Sequence, residues 1–204
     1  MIRIPKLAEL REAIRSFISK PVTVPVADLQ KTSAAGFRGK PIYDEETCIG
    51  CGACASVCPA SAIEVSDLVD KDPPVRRFTI HYDVCIFCGH CELNCTTRNG
   101  ISNSEEFDLS TLDRRSLESS LEKELVLCSE CGSVIATKDH ILWVAEKLGP
   151  KQFAHPTLML ITDRELGLVE DVRGHTVSRG LRPDGIRAMC PRCRRTVLVR
   201  EMWG

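Results

Sequence analysis

The chain has 204 residues, enough for one ordinary domain or two small ones. Hydrophobic residues make up 43% and charged residues 27%, a balance that suits a folded protein and excludes a disordered one. The formal net charge of -1 gives no electrostatic case for nucleic-acid binding. No apolar run reaches the roughly 18 residues that a membrane-spanning helix needs.

Residues 1–20 place Ile4, Leu7, Leu10, Ile14, Phe17 and Ile18 at helical spacing, with Arg11, Arg15 and Lys20 off that stripe. The pattern predicts an amphipathic helix that ends at Pro21. The opening stretch MIRIPKLAELREAIRSF lacks the apolar centre of a secretion signal, so a cytoplasmic location is expected. Residues 21–42 carry Pro21, Pro25, Gly36, Gly39 and Pro41 without a period and read as a linker. The helix either packs on its own domain or docks on a membrane surface or a membrane-embedded partner. The linker favours docking, because it leaves the helix no core to cover.

Residues 43–100 contain an internal repeat. Cys48-x2-Cys51-x2-Cys54-x3-Cys58 recurs as Cys85-x2-Cys88-x2-Cys91-x3-Cys95, offset by 37 residues. Short strands are expected at 62–65 and 78–81, joined by a polar loop with Asp67, Asp70, Lys71, Asp72, Pro73 and Pro74. The duplication predicts a pseudo-two-fold α+β unit. Residues 101–127 start polar and then place Leu112, Leu117, Leu121 and Leu125 at near-helical spacing, which predicts a helix. A second helix is expected at 137–148, capped by Thr137 and stopped by Gly149-Pro150. Short strands are expected at 157–162 and 196–199.

All 12 cysteines lie in C-x-x-C type clusters, which in a reducing compartment means metal ligation rather than disulfides. C-x2-C-x2-C curls three thiolates around one [4Fe–4S] cube, and a cysteine three residues on serves the other cube in two-cluster ferredoxins. By that rule Cys48, Cys51, Cys54 and Cys95 hold one cluster, and Cys58, Cys85, Cys88 and Cys91 hold the other. Gly50, Gly52 and Gly89 allow tight backbone near the sulfide, while Ile49, Ala53, Val57, Ile63, Ile86 and Phe87 supply a dry shell. Pro59 follows Cys58 as the bacterial pattern requires, but Thr96-Thr97 follows Cys95, so a shifted turn is expected there. Two zinc sites from the same cysteines are the competing reading, yet zinc sites favour paired knuckles over this doubled run. His81 and His90 read as exposed or supporting residues, since thiolates fill every ligand position.

Cys128-x2-Cys131 and Cys190-x2-Cys193 are two further knuckles, separated by 58 residues. Together they suit one tetrahedral four-thiolate ion in a zinc-ribbon or rubredoxin-like arrangement; independent reduced thiols are the alternative. Zinc would make the site structural and iron a third one-electron centre, and the sequence favours zinc without deciding it. Arg192, Arg194 and Arg195 beside the second knuckle suit a solvated or partner-facing surface better than nucleic acid, because no aromatics interleave them.

With FRGKPIYDEETCIGCGACASVCPASAI and CIFCGHCELNC, the chain resembles the two-[4Fe–4S] ferredoxin subunit of respiratory complex I and of energy-converting membrane-bound [NiFe] hydrogenases, formate hydrogenlyase among them. The resemblance covers about residues 1–105, including the helix, the Arg38-Gly39-Lys40-Pro41 approach and all eight cluster cysteines. The four-cysteine tail favours the hydrogenase branch. The resemblance implies a non-catalytic subunit that relays single electrons to or from a hydrogenase-like core. Its partners would be the hydrogenase-like small and large subunits, membrane subunits met through the helix, and a soluble ferredoxin or catalytic donor subunit. It would lie on the inner face of the cell membrane. A complex I-type quinone reductase subunit, a free-standing soluble ferredoxin and a cluster-bearing nucleic-acid regulator are the alternatives. The expected organisation is a helix and linker at 1–42, a bacterial-type 2[4Fe–4S] ferredoxin domain at 43–105, and a helical segment with a four-cysteine metal-binding tail at 106–204.

Overall fold

The structure is a computed structural model, and it describes residues 7–20, 36–106, 108–168 and 187–203. Ile4 and most of the expected linker (21–35) lie outside the described residues. The chain forms two units, Met1–Phe37 and Arg38–Gly204. The first contains helix α1 (Leu7–Ile18), with Leu7, Leu10, Ile14, Phe17 and Ile18 exposed. No described helix is long and apolar enough to cross a membrane.

The second unit begins with β1 (Pro41–Tyr43), the one-turn helix α2 (Ala53–Ser56), β2 (Ile63–Leu68) and β3 (Val75–His81). The one-turn helix α3 (His90–Leu93) and β4 (Ile101–Asn103) follow. β1 pairs antiparallel with β4 (Pro41↔Asn103, Tyr43↔Ile101), and β2 with β3 (Ile63↔Ile80, Leu68↔Val75). The repeat therefore folds as two matched halves: β1 stands 37 residues before the end of β3, and β2 before β4. Cys54, Ile63, Ile80, Tyr82 and Ile101 form the core between them. Tyr82 closes it by donating its hydroxyl to Pro41 O at 2.9 Å.

The rest of the unit is built onto this core. β5 (Glu118–Leu127) pairs with β3 from Val75↔Glu124 to His81↔Glu118, and β6 (Val134–Thr137) pairs with β5, giving one sheet in the order β2-β3-β5-β6. The helix expected within 101–127 is thus a strand, preceded by a 3-10 turn at Arg114–Leu117. The reason is a coincidence of periods. Leu121 and Leu125 are four apart, which places them on one side of a helix and equally on one face of a strand. The open edge of β3 decides between the two, setting Leu121 opposite the fully buried Phe78. On the outer face Arg77 forks onto Glu122, which also receives Lys71.

α4 (Lys138–Leu148) fills the expected 137–148 helix, with Thr137 at its N-cap and Gly149 at its C-cap. The expected strands at 157–162 and 196–199 are instead α5 (Pro156–Glu165) and α6 (Pro191–Trp203). Each starts with proline at the first helical position, where a missing N–H costs nothing. In α5 the His155 ring accepts the Leu158 N–H, and Thr162 bonds back to Leu158 O, so the β-branched residues are accommodated. Leu158 and Ile161 bury against Ile141 of α4, each contributing about 1.5–3 kcal/mol.

Candidate metal centres

The two cysteine loops share a backbone, not only a spacing. Positive φ recurs at Gly50 and Phe87, at Gly52 and Gly89, and at Ser61 and Arg98, each pair 37 residues apart. The hydrogen bonds repeat at the same offset: Cys48 N to Asp44 O matches Cys85 N to His81 O, and Ser61 N to Cys58 O matches Arg98 N to Cys95 O. The left-handed residues turn the chain back at each step and aim successive cysteines at a common point. Gly52 and Gly89 then start α2 and α3, which carry Cys54 and Cys91.

The eight thiols gather into two groups of four. Cys48, Cys51, Cys54 and Cys95 line one cavity with Tyr43, Ile49, Ala53, Phe78 and Ile101. Cys58, Cys85, Cys88 and Cys91 line the other with Pro41, Ile63, Ile80, Ile86 and Phe87. Each cavity takes three cysteines from one run and the last cysteine of the other. Val57 lies in neither lining. Burial pushes the Cys48, Cys54 and Cys85 thiols up, and the Cys91 thiol up to about 11. Such thiols stay protonated unless a cation replaces the proton. Four soft sulfurs around an apolar hollow fit an iron–sulfur cluster better than any oxygen-ligated ion.

Residues 47–99 match the family described as "4Fe-4S dicluster domain". That match spans both cysteine runs. Among relatives, the chain is 35% identical over 101 residues to "NAD(P)H-quinone oxidoreductase subunit I" of Gloeobacter violaceus, covering 48% of each. It is 29% identical over 118 residues to "NADH-quinone oxidoreductase subunit I 2" of Geobacter metallireducens, covering 54% of this chain and 88% of that one. The chain thus spans about half the length of the Gloeobacter protein. Among solved structures, it is 28% identical to a chain of the membrane-bound sulfane sulfur reductase, an archaeal respiratory membrane complex, with TM-score 0.38 and coverage of 57% and 61%.

Several residues beside the two cavities carry no cysteine signature. Thr137, fully buried at the end of β6, donates its hydroxyl to Ile49 O at 2.5 Å. Lys123 of β5 reaches Glu45 O and pairs with Asp139 at 2.9 Å. Arg76 of β3 grips Asp67 through both carboxylate oxygens and extends to Gly50 O. Its hydrogen bonds hold the Asp67 carboxyl below its usual range. Hydroxyls of Tyr43, Thr96 and Thr97 lie against Cys54, Cys51 and Cys95. Burial opposes ionisation of Cys95, yet the Thr97 hydroxyl and surrounding N–H groups hold its thiol below the ordinary value. The sequence marks Thr96-Thr97 by their departure from proline and Thr137 only as a helix cap; Lys123 and Tyr43 have no such signal. His90 is exposed. His81 sits between Glu64 and Glu118 at 3.5 and 3.3 Å.

The second knuckle pair forms one further cluster. Cys128 and Cys131 lie in the β5–β6 hairpin, and Cys190 and Cys193 at the start of α6; all four sulfurs lie within 4.8 Å of one another. Cys131 Sγ and Cys190 Sγ are 3.8 Å apart. That is about the edge of a tetrahedron with metal–sulfur bonds of roughly 2.3 Å. The Cys190 N–H points at Cys128 Sγ (3.3 Å) and the Cys193 N–H at Cys190 Sγ (3.4 Å). Ser129 ties the hairpin to the second knuckle through Ala188 O, at 2.9 Å from its N–H and 3.0 Å from its hydroxyl. The expected outward-facing arginine group is divided: Arg192 and Arg195 are exposed, but Arg194 turns in to His155, Thr157 and Met189 O. It packs α6 on α5 and is not a free surface cation.

Proposed function

We propose that this chain is an electron-relay subunit of a membrane respiratory complex. In it Cys48, Cys51, Cys54 and Cys95 hold one [4Fe–4S] cluster, and Cys58, Cys85, Cys88 and Cys91 the other. The observation that carries this reading is the grouping of eight thiols into two four-thiol cavities, each drawing one cysteine from the opposite run. Bound clusters would supply reversible one-electron chemistry and nothing else. The protein fixes their separation, keeps water from them with Ile49, Phe78, Ile80 and Phe87, and aims polar hydrogens at their sulfurs. It needs no acid, base or nucleophile, and no catalytic residue is assigned.

The names of the relatives favour a quinone-reductase type of complex; the four-cysteine tail keeps hydrogenase-like small and large subunits as candidate partners. The exposed apolar face of α1 suits docking on membrane subunits, which would hold the chain at the inner face of the cell membrane. Cys128, Cys131, Cys190 and Cys193 hold one structural zinc in this reading. They join a hairpin to a helix start and lie apart from the cavity linings.

Anaerobic iron, sulfide and zinc analysis with EPR of the reduced full-length chain tests this. About eight iron and eight sulfide per chain, with one zinc, is the expected result. A protein that holds zinc alone would refute it. One additional iron in place of zinc would make the tail a third redox centre.

A further inference from the structure

The two cavities are alike in backbone but not in the polar groups that touch their sulfurs. At the first cavity three side-chain hydroxyls reach three of the four sulfurs. Tyr43 Oη lies 3.7 Å from Cys54 Sγ, Thr96 Oγ1 3.2 Å from Cys51 Sγ, and Thr97 Oγ1 3.4 Å from Cys95 Sγ. At the second cavity the sulfurs are met by backbone N–H groups: Ala62 N at 3.3 Å from Cys58 Sγ and Phe87 N at 3.4 Å from Cys85 Sγ. Among the described residues no hydroxyl touches a sulfur there.

The 37-residue repeat shows that this difference is one of residue type at matched positions. The equivalents of Thr96 and Thr97 are Pro59 and Ala60, and the equivalent of Tyr43 is Ile80. None of the three has a side-chain donor. A sulfur that ligates iron carries no proton, so each hydroxyl at the first cavity must be the donor. Thr97 is set up for this. Its Oγ1 accepts the Gly100 N–H at 3.1 Å, which leaves its own hydrogen for Cys95. Gly100 permits the approach, because a Cβ there would stand 2.9 Å from Thr97 Oγ1 and 3.0 Å from Cys48 Cα. Cations flank both cavities, and the proposal rests on the hydroxyls rather than on them. Arg76 and Lys123 near the first are neutralised by Asp67 and Asp139, and Arg38 at the second donates to Cys88 O at 2.8 Å.

Hydrogen bonds to cluster sulfurs stabilise the more negative, reduced state and so raise the reduction potential. We propose that the first cavity is the higher-potential site of the pair, and that Tyr43, Thr96 and Thr97 thereby set the resting place of the electron. With clusters held by the two sets of four cysteines, an electron lost by the one in the second cavity would be gained by the one in the first. No bond is made and no proton moves. The inference rests on the two-cluster reading above.

An EPR-monitored redox titration of the full-length, cluster-loaded chain tests it, with iron and sulfide assayed on the same samples. The wild type should show two midpoints. Tyr43→Phe and Thr96→Val should each lower the higher midpoint and leave the lower one in place, and together they should narrow the gap further. Thr96→Ser, which keeps the hydroxyl, should leave both midpoints at the wild-type values, separating the hydrogen bond from side-chain bulk. At full iron content, variants that move neither midpoint, the lower one, or both equally would overturn the assignment, as would a single wild-type midpoint. Should Thr96→Val lose iron, Tyr43→Phe alone decides, since it removes one oxygen from a side chain that otherwise stays packed. Wild-type iron and sulfide far below two cubes would instead remove the two-cluster reading, and that result precedes any titration.

Discussion

The join between the cysteine repeat and β5–β6 can be tested at one atom. Gly50 has φ +67, and a Cβ built there would lie 2.8 Å from Thr137 Cγ2 and 3.2 Å from Lys123 Cβ. Gly50→Ala therefore faces two costs: about 1–2 kcal/mol for a left-handed backbone bearing a Cβ, and about 1–3 kcal/mol for overpacking. Gly52→Ala is the control. Its φ is +81 but nothing stands within 4 Å, so it carries the backbone cost alone. Thr137→Ser removes the offending methyl, keeps the hydroxyl on Ile49 O, and by itself should cost about 1 kcal/mol for the lost buried group. Gly50→Ala combined with Thr137→Ser should recover most of the overpacking term, a coupling of about 1–3 kcal/mol. The assay is the midpoint for thermal loss of cluster absorbance, measured anaerobically at one scan rate because that loss is irreversible. Each kcal/mol corresponds to roughly 2–4 °C at this chain length. If Gly50→Ala and Gly52→Ala fall equally, or the cycle is additive, the contact between Thr137 and the first loop is not the constraint argued here.

Further outcomes follow from the same geometry. Cys58→Ser should damage the cluster beside Cys85, Cys88 and Cys91 and spare the one beside its own run, and Cys95→Ser should do the converse; EPR signals sensitive or insensitive to Tyr43→Phe distinguish them. Cys190→Ser should release one metal equivalent and leave about eight iron in place, read by metal analysis after gel filtration. Burial, with Arg76 nearby, holds the His140 imidazole below its ordinary value. A lowered histidine pKa means that protonation favours the unfolded chain, so the stability it contributes is present above about pH 6.5 and is lost as pH falls through the folded value. His140→Gln should flatten the decline in thermal midpoint between about pH 7 and 5.5; an unchanged slope would show that His140 does not titrate on unfolding.

What could be read from the sequence was what chemistry pins to spacing. C-x2-C-x2-C-x3-C admits few geometries, so the paired runs and their grouping into two crossed sets of four could be stated from the rule alone, and the cavities have that membership. Strands near 62–65 and 78–81 were also legible, bounded as they are by the loops. The segments 118–127, 157–162 and 196–199 were not. In the first, the leucine spacing satisfies both periods, and the arbiter is the edge of β3 some forty residues earlier. In the other two, β-branched content suggested strands, while Pro156 and Pro191 open helices whose packing partners are remote in sequence. The contacts of Thr137 and Lys123 with the first cysteine loop were invisible for the same reason: the sequence marks Thr137 only as a helix cap, and the sheet brings the two residues to Ile49 and Glu45.

The sheet also explains why two halves with one backbone differ in their tolerance of side chains. Within the repeat, β1 meets β4 as β3 meets β2. β5 joins only the free edge of β3, and β6 follows it, so the pair covers the first cysteine loop and breaks the pseudo-symmetry. Under that cover a Cβ at position 50 would stand 2.8 Å from Thr137 Cγ2. The repeat equivalent of position 50 is Phe87, which holds a similar φ of +53. A phenylalanine in that conformation is costly, but its ring lines the second cavity, where burial offsets the strain. Phe87→Gly should therefore relieve the backbone yet weaken the second cluster's shield, showing faster loss of that cluster in air with little change in thermal midpoint. Equal oxygen sensitivity in variant and wild type would mean that the left-handed phenylalanine is not retained for the cavity.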